Sequence, residues 1–415
     1  MKDQPNKKPR ILVLMCEGGG GHKSASVSLQ EILSPNYEID VINVISTVLP
    51  PIDPLRICTF GKRYAEDLYN FCMQKDLYRF LNYFVRIGNR YMLFQKKKIA
   101  KLFEKYLISQ PQLPDLIIST VPFINHGLVL ATHKLNIPYL LLPTDLDTAT
   151  FLRGFDRMDR EVLKRFKMAM AYERPEMILQ VFKHSVLEPT DLAFPGFPVH
   201  PACQKTYTPE EIERLKSHFG LASGKKIVTL VMGAAGSGTI FHHTQIIAQL
   251  SSKTCGPIEV NICVGRNRKI QSKIINWLHR EGGWLVQKNE ERTSILMPKG
   301  TLLHIRNFTE ELTLIMACSD LIISKTGSCS VNEAIYLRKK ILLDNTLLST
   351  ARYLWWEKFN VPFVKRHGLG AAFTQSEELH SLIPFMLNHI CMPAQALKLP
   401  DFHTNIQNLV SSLIK

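Results

Sequence analysis

At 415 residues the chain exceeds what one hydrophobic core usually supports, so two domains of about 200 residues are the expectation. A hydrophobic content of 45% with 21% charged residues excludes a disordered or fibrous chain. The net charge of +15 calls for an anionic partner, either a nucleic acid or an acidic lipid surface. The nine cysteines, odd in number and with no CxxC pair, fit a reducing compartment. The start MKDQPNKKPR lacks the apolar centre of a signal peptide, and no apolar run approaches the ~20 residues of a membrane span. The expectation is a cytoplasmic protein that is able to touch a membrane.

The run Ile11 to Met15 reads as a buried strand, EGGGGHKSA as a glycine loop and SASVSLQEIL as the next helix. Two glycine motifs fail here. Lys23 stands where GxGxxG counted from Gly18 needs its third glycine, and His22 separates Gly21 from Lys23 where a Walker loop needs Gly-Lys. Successive glycines through Gly19, Gly20 and Gly21 let a ligand approach the backbone, and they leave His22 at the helix mouth. Imidazole is suited to accept a proton near neutrality, although a capping or packing histidine is the plainer reading.

EIDVINV, Glu38 to Val44, alternates like a second strand. From Arg56 to Tyr106 the period is helical, with twelve Lys or Arg against four acids and many interleaved aromatics. Such amphipathic helices suit an anionic bilayer surface. The alternatives are a solvated face with an aromatic core stripe, or RNA binding, for which no RNP1 or zinc-finger pattern is present. PDLIISTVPF and IPYLLLPTD each supply a strand and a loop, the second carrying Thr144, Asp145 and Asp147. Loops at strand ends line ligand crevices in doubly wound sheets, so these carboxylates are candidates to join His22; Asp145 as a helix cap is the alternative.

AFPGFPVHPAC is rigid with proline and marks a boundary, after which Thr208 and Glu211 form a capping box opening a new helix. A second α/β series follows: KKIVTLVMG, the loop AAGSG, a helix over 240–250, then PIEVNICVGRN, KIQSKIINWLHREG, LLHIRNF and ELTLIMACSD. It leads to SDLIISKTGSCSVNEAIYLRKKILLDN. Here a buried strand feeds a turn at Thr326, Gly327 and Ser328, and then a helix from Val331 with Glu333 in its first turn. The unpaired amides of such a helix start favour a phosphate, and a carboxylate just inside suits ribose hydroxyls. Glu333 as a simple dipole cap remains the alternative. The tail from Ser376 reads as helical.

Taken in order, GGGGHKSA, PDLIISTVPF, IPYLLLPTD, GFPV, VMGAAGSG, CVGRN, IRNFTEEL and SDLIISKTGSCSVNEA cover nearly the whole chain. In them the sequence resembles the GT-B glycosyltransferases of the monogalactosyldiacylglycerol synthase and processive diacylglycerol glucosyltransferase group, with the peptidoglycan GlcNAc transferases as more distant relatives. The resemblance implies an α/β fold of two Rossmann-like, doubly wound domains facing across a cleft. They would span 1–200 on the acceptor and membrane side and 201–385 on the UDP-sugar side, with 386–415 returning toward the first.

It further implies an inverting hexosyl transfer from a UDP-sugar to a lipid, diacylglycerol first, with neither metal nor cofactor. His22, assisted by Asp145, would handle the acceptor proton beside the loop of Gly19 to Gly21. Uracil would lie by Arg266 and Phe308. The diphosphate would meet Gly236, Ser237 and Gly238 and the turn Thr326 to Ser328, the ribose Glu333, and the sugar Glu357 and Asn360. The 56–106 stretch would dock on an anionic membrane on its cytosolic side, and no nucleic-acid partner is expected. Three departures stand out: only one glycine remains in the phosphate turn, Trp355 and Trp356 replace a Gly-Gln pair, and a histidine and tryptophan are missing after Thr144-Asp145. The alternatives are a UDP-GlcNAc transferase acting on a lipid-linked envelope precursor, or a degenerate protein that binds nucleotide-sugar at a membrane without catalysis.

Overall fold

The computed structural model describes residues 7–233, 238–251, 256–346, 354–389 and 397–415. It divides into two compact units: the first holds Met1–Asn70, Phe80–Pro201 and Leu399–Lys415, the second Phe71–Arg79 and Ala202–Lys398. Among the described residues no helix is long and apolar enough to cross a membrane.

In the first unit, β1 (Arg10–Met15), β2 (Glu38–Asn43), β3 (Leu116–Ser119), β4 (Tyr139–Leu141), β5 (Phe166–Ala169) and β6 (Leu192–Ala193) form one sheet in the order β2-β1-β3-β4-β5-β6. Every pairing is parallel. Helices cover both faces, which is why ILVLM, LIIS and YLL read as continuous apolar runs instead of alternating ones. Ile11, Val13, Leu116, Ile118 and Leu140 point to one face, where they meet Leu29, Ile32 and Leu33 of the Gly21–Leu33 helix. Phe402, Ile406 and Val410 of the C-terminal helix Phe402–Ile414 seal the same core. The chain steps outward from β1 to β2 and then crosses back to β3, so the sheet reverses direction between β1 and β3.

The second unit holds β7 (Lys226–Val231), β8 (Ile258–Cys263), β9 (Trp284–Lys288), β10 (Arg292–Leu296), β11 (Leu302–Arg306), β12 (Leu321–Lys325), β13 (Lys340–Asp344) and β14 (Gly370–Phe373). Their order is β14-β13-β12-β7-β8-β11-β10-β9, and the reversal falls between β7 and β12. Six strands are parallel, whereas β10 pairs antiparallel with both β11 and β9. The sequence reading passes over this edge hairpin. Its turn is set by Asn289, whose side-chain carbonyl accepts from the Glu291 and Arg292 amides.

Some boundaries differ from expectation. The helix Leu379–Asn388 buries Leu379, Ile383, Met386 and Leu387 in the second core, so the return to the first unit begins at Leu399 and not at 386. The Thr208–Glu211 capping box forms as read.

Ile406 is fully buried on the first sheet. Ile406→Ala removes most of that side chain and is expected to cost the first unit about 2–4 kcal/mol, read as a lower urea midpoint for its unfolding. An unchanged midpoint would contradict this packing.

Candidate functional site

Doubly wound sheets open a crevice where strand order reverses, because the connections on either side run away from each other. In the first unit three adjacent strand ends converge there on His22. The helix begins at Gly21, so His22 lies in its first turn. Its Nδ1 lies 2.8 Å from the Thr120 carbonyl just beyond β3 and 3.0 Å from Thr144 Oγ1 just beyond β4. Thr120 is itself tied to β1, both its amide and its hydroxyl donating to Leu14 O. A carbonyl only accepts, so Nδ1 carries the hydrogen and Nε2 presents a lone pair. Burial drops the imidazole to about pKa 4 against the raising effect of the Thr120 carbonyl, so the ring is neutral at physiological pH.

Asp145 follows Thr144, and its charge, with those of Glu66 and Glu17, adds to burial in pushing the Cys16 thiol to about 12. Asp147 is placed differently: its Oδ1 accepts from the Ala149 amide and from Gln180 Nε2, and so holds a turn.

The glycine loop has a brace that sequence reasoning missed. In the Ala65–Gln74 helix, Glu66 Oε2 accepts from the Glu17 amide at 2.7 Å, and Asn70 Oδ1 accepts from Gly19 N at 3.1 Å while its Nδ2 donates to Glu17 O at 2.8 Å. Tyr69 lies along Gly18 and Gly19. Gly19 has φ +87°, a conformation that suits glycine. Glu66 and Asn70 stand i, i+4 on one helix face, but nothing in the local sequence says that this face meets a loop some fifty residues earlier.

In the second unit Thr326, Gly327 and Ser328 follow β12, Gly238 lies beyond β7, Arg266 beyond β8 and Phe308 beyond β11, four neighbouring strands of the sheet. The helix after β12 spans Ser328–Tyr336 with Gly327 as N-cap and no side-chain cap. It thus starts three residues before the expected Val331, and Glu333 falls in the second turn, not the first. The reason is that the turn is tighter than read. Asn360 Nδ2 donates to Thr326 O at 2.6 Å and to Ser328 Oγ at 3.0 Å, drawing the helix start onto the end of β12.

Glu357 receives Lys325 Nζ and Thr326 Oγ1, each at 3.0 Å, on its two carboxylate oxygens. It was predicted as a sugar contact; in the structure it is buried and braces the turn. A Cβ on Gly327 would come within 2.9 Å of Lys325 Cε, so a side chain there would push the end of that lysine aside. Lys325, missed as a site residue, also passes 3.2 Å from the Cβ position of Gly233 at the end of β7.

Arg266, beyond β8, lays its guanidinium 3.8 Å from the ring centroid of Phe308, beyond β11, so these two predicted residues meet. Gly238 caps the Thr239–Ala248 helix, while Gly236 and Ser237 lie outside the described residues. Trp356 is buried, its ring edge-on to Trp355 at 5.5 Å, which makes it part of the packing. Burial pushes the Glu333 carboxyl up to about 7.

No family model matches the sequence. The chain is 22% identical over 396 residues to monogalactosyldiacylglycerol synthase 1 of Arabidopsis thaliana, covering 92% of this chain and 64% of that protein. It is 22% identical over 385 residues to the processive diacylglycerol beta-glucosyltransferase of Bacillus pumilus, covering 90% and 85%. This chain thus spans a little under two thirds of the plant relative's length. Among solved structures, MurG of Acinetobacter baumannii superposes with TM-score 0.56 at 12% identity over 97% of this chain and all of that one. The glycosyltransferase of kitacinnamycin gives 0.57 at 11% over 99% and all of it.

Because the Glu333 pKa is raised above its unfolded value of 4.5 to about 7, this group's contribution to stability is fully present below pH 4.5 and is lost as pH rises through 7. Glu333→Gln is therefore expected to stabilise the protein at pH 8 by about 1–2 kcal/mol and to leave it unchanged at pH 4, read by denaturant midpoints. Equal midpoints at pH 8 would show that the carboxylate is well solvated. With its two doubly wound sheets and its loops at both reversals, the chain has the GT-B fold and is similar in sequence to the monogalactosyldiacylglycerol synthases and processive diacylglycerol glucosyltransferases.

Proposed function

We propose that this chain is an inverting glycosyltransferase moving a hexosyl group from a UDP-sugar to a membrane lipid, diacylglycerol being the favoured acceptor. The observation that supports this reading is that the Thr326–Ser328 turn beyond β12, Arg266 beyond β8 and Phe308 beyond β11 lie at the same end of neighbouring strands. From Thr326 beyond β12 to Phe308 beyond β11 there are three interstrand steps. At roughly 4.8 Å each they give a span on the order of 14 Å, suited to an extended nucleoside diphosphate. Uracil stacks beside the Arg266–Phe308 pair, the diphosphate meets the helix start at Ser328 with Lys325, itself held by Glu357, close by, and Glu333 accepts ribose hydroxyls. The relatives' names supply the lipid acceptor.

In the reaction the acceptor oxygen attacks C1 of the sugar, the C1–O bond to UDP breaks, and the acceptor proton passes to His22 Nε2. The bonding electrons leave with UDP, whose new charge is met by the amides and Lys325. A ring of pKa about 4 takes that proton only as the new bond forms, when the acceptor oxygen has become acidic. The membrane side of the reading rests on the helical stretch over 56–106, where Phe60, Phe80, Tyr83 and Phe94 are exposed amid the basic residues while Tyr78 and Phe103 are buried. Part of the aromatic set is therefore core, as the plainer reading held, and part faces outward.

Incubation with UDP-glucose, UDP-galactose or UDP-GlcNAc and diacylglycerol in anionic vesicles should release UDP and yield glycolipid. His22→Ala is expected to lower kcat by roughly 10²–10⁴-fold. As Glu333 is deprotonated only above about 7, kcat/KM should fall on acidification through that pH, and Glu333→Gln should flatten the limb. Absence of UDP release with every donor would overturn the reading, and transfer only to a lipid-linked saccharide precursor would redirect it.

A further inference from the structure

On the helix Tyr78–Phe94, the exposed side chains Phe80, Tyr83, Ile87 and Phe94 recur at intervals of three, four and seven residues. At 100° per residue they fall on one stripe. Arg86 and Arg90, one turn apart, flank the stripe on the same side and are exposed. A cavity of about 410 Å³ opens there, lined by Tyr83, Arg86, Ile87, Arg90 and Arg153. Arg153 arrives from a different part of the first unit. Its neighbour Gly154 has φ +83° and lies so close to His126 and Leu93 that a Cβ would approach each to 2.6 Å. That close approach pins the Arg153 backbone against the end of the Tyr78–Phe94 helix. Among the described residues no carboxylate pairs with Arg86 or Arg90.

Three guanidinium groups around one cavity repel each other; burial, with the charges of Arg90 and Arg86, lowers the Arg153 pKa. A small anion relieves that repulsion, and guanidinium forks match the oxygens of a phosphate. We propose that Arg86, Arg90 and Arg153 form a discrete site for the phosphate of a phospholipid headgroup, with Phe80, Tyr83, Ile87 and Phe94 resting in the bilayer beside it. The lipid source follows from the flanking stripe: a free phosphate would have no use for four exposed apolar side chains next to its site, whereas an acyl-chain boundary covers them. The site deepens the lipid-acceptor reading, since it would fix where and in which orientation the first unit meets the surface. It depends on that reading for its purpose and not for its chemistry.

The test is sedimentation of the intact protein with vesicles of phosphatidylcholine alone or with phosphatidylglycerol, without donor or acceptor, so a failed transfer assay leaves it interpretable and a failed binding assay leaves the transfer reading standing. Wild type should partition more strongly to the phosphatidylglycerol vesicles. Arg86→Gln with Arg90→Gln should cut that partition at least tenfold with an unchanged thermal midpoint. Lys97→Gln with Lys98→Gln removes equal charge from exposed positions on the next helix and should cut it no more than two- to threefold. Equal losses in the two variants would reduce the site to diffuse charge and overturn the proposal. A rise in the wild-type thermal midpoint with inorganic phosphate, combined with no preference for phosphatidylglycerol, would assign the cavity to a free anion and overturn the lipid source.

Discussion

The constraint on which the rest of the structure depends is the reversal of strand order beside the first strand of each sheet. A parallel sheet covered on both faces hides its backbone everywhere except at strand ends, and helices cross over most of those ends. At a reversal the flanking connections depart in opposite directions and leave loop amides and carbonyls open. In the first sheet the reversal collects Gly19, His22 and Thr120, and in the second it collects Gly233 and the Thr326–Ser328 turn. Residues far apart in sequence become neighbours because the topology offers them one opening per sheet.

Each opening is stiffened from behind by side chains of a separate segment. Glu66 and Asn70 fix the glycine loop through its own backbone groups, and Glu357 and Asn360 fix the Thr326–Ser328 turn through side-chain and backbone groups. In both units a carboxylate and an amide, three or four residues apart, restrain a turn that follows a strand. Such bracing holds loop geometry fixed before a ligand arrives. The ring of His22 gains the same advantage: the Thr120 carbonyl selects its tautomer, leaving only Nε2 as an acceptor.

Much of this was legible in the sequence, unevenly. The buried strands announced themselves as short β-branched runs followed by glycine, and the Thr208–Glu211 box declared its helix, because those signals are local. Arg266 and Phe308 were read as one subsite from ordered motifs, and they do meet. What was not legible depends on long-range pairing. The β9–β10 hairpin hid because Trp284–Lys288 is an exposed edge with no burial pattern. Glu333 was placed one turn too early because the pull of Asn360 on Ser328 comes from more than thirty residues downstream. The resemblance offered Glu357 as a sugar contact, and its bracing of Lys325 and Thr326 was not legible because those partners lie equally far back. The aromatic stretch over 56–106 carried both a core stripe and an outward stripe, and composition alone does not separate the two.

The central claim is that the turn after β12 receives a diphosphate while the Arg266–Phe308 pair receives the base. A crystal structure of the protein grown with UDP tests it most directly. The account predicts phosphate oxygens within hydrogen-bonding distance of the Ser328 amide, uracil against Phe308, and ribose hydroxyls on Glu333. Nucleotide bound elsewhere, with these three groups untouched, would contradict it.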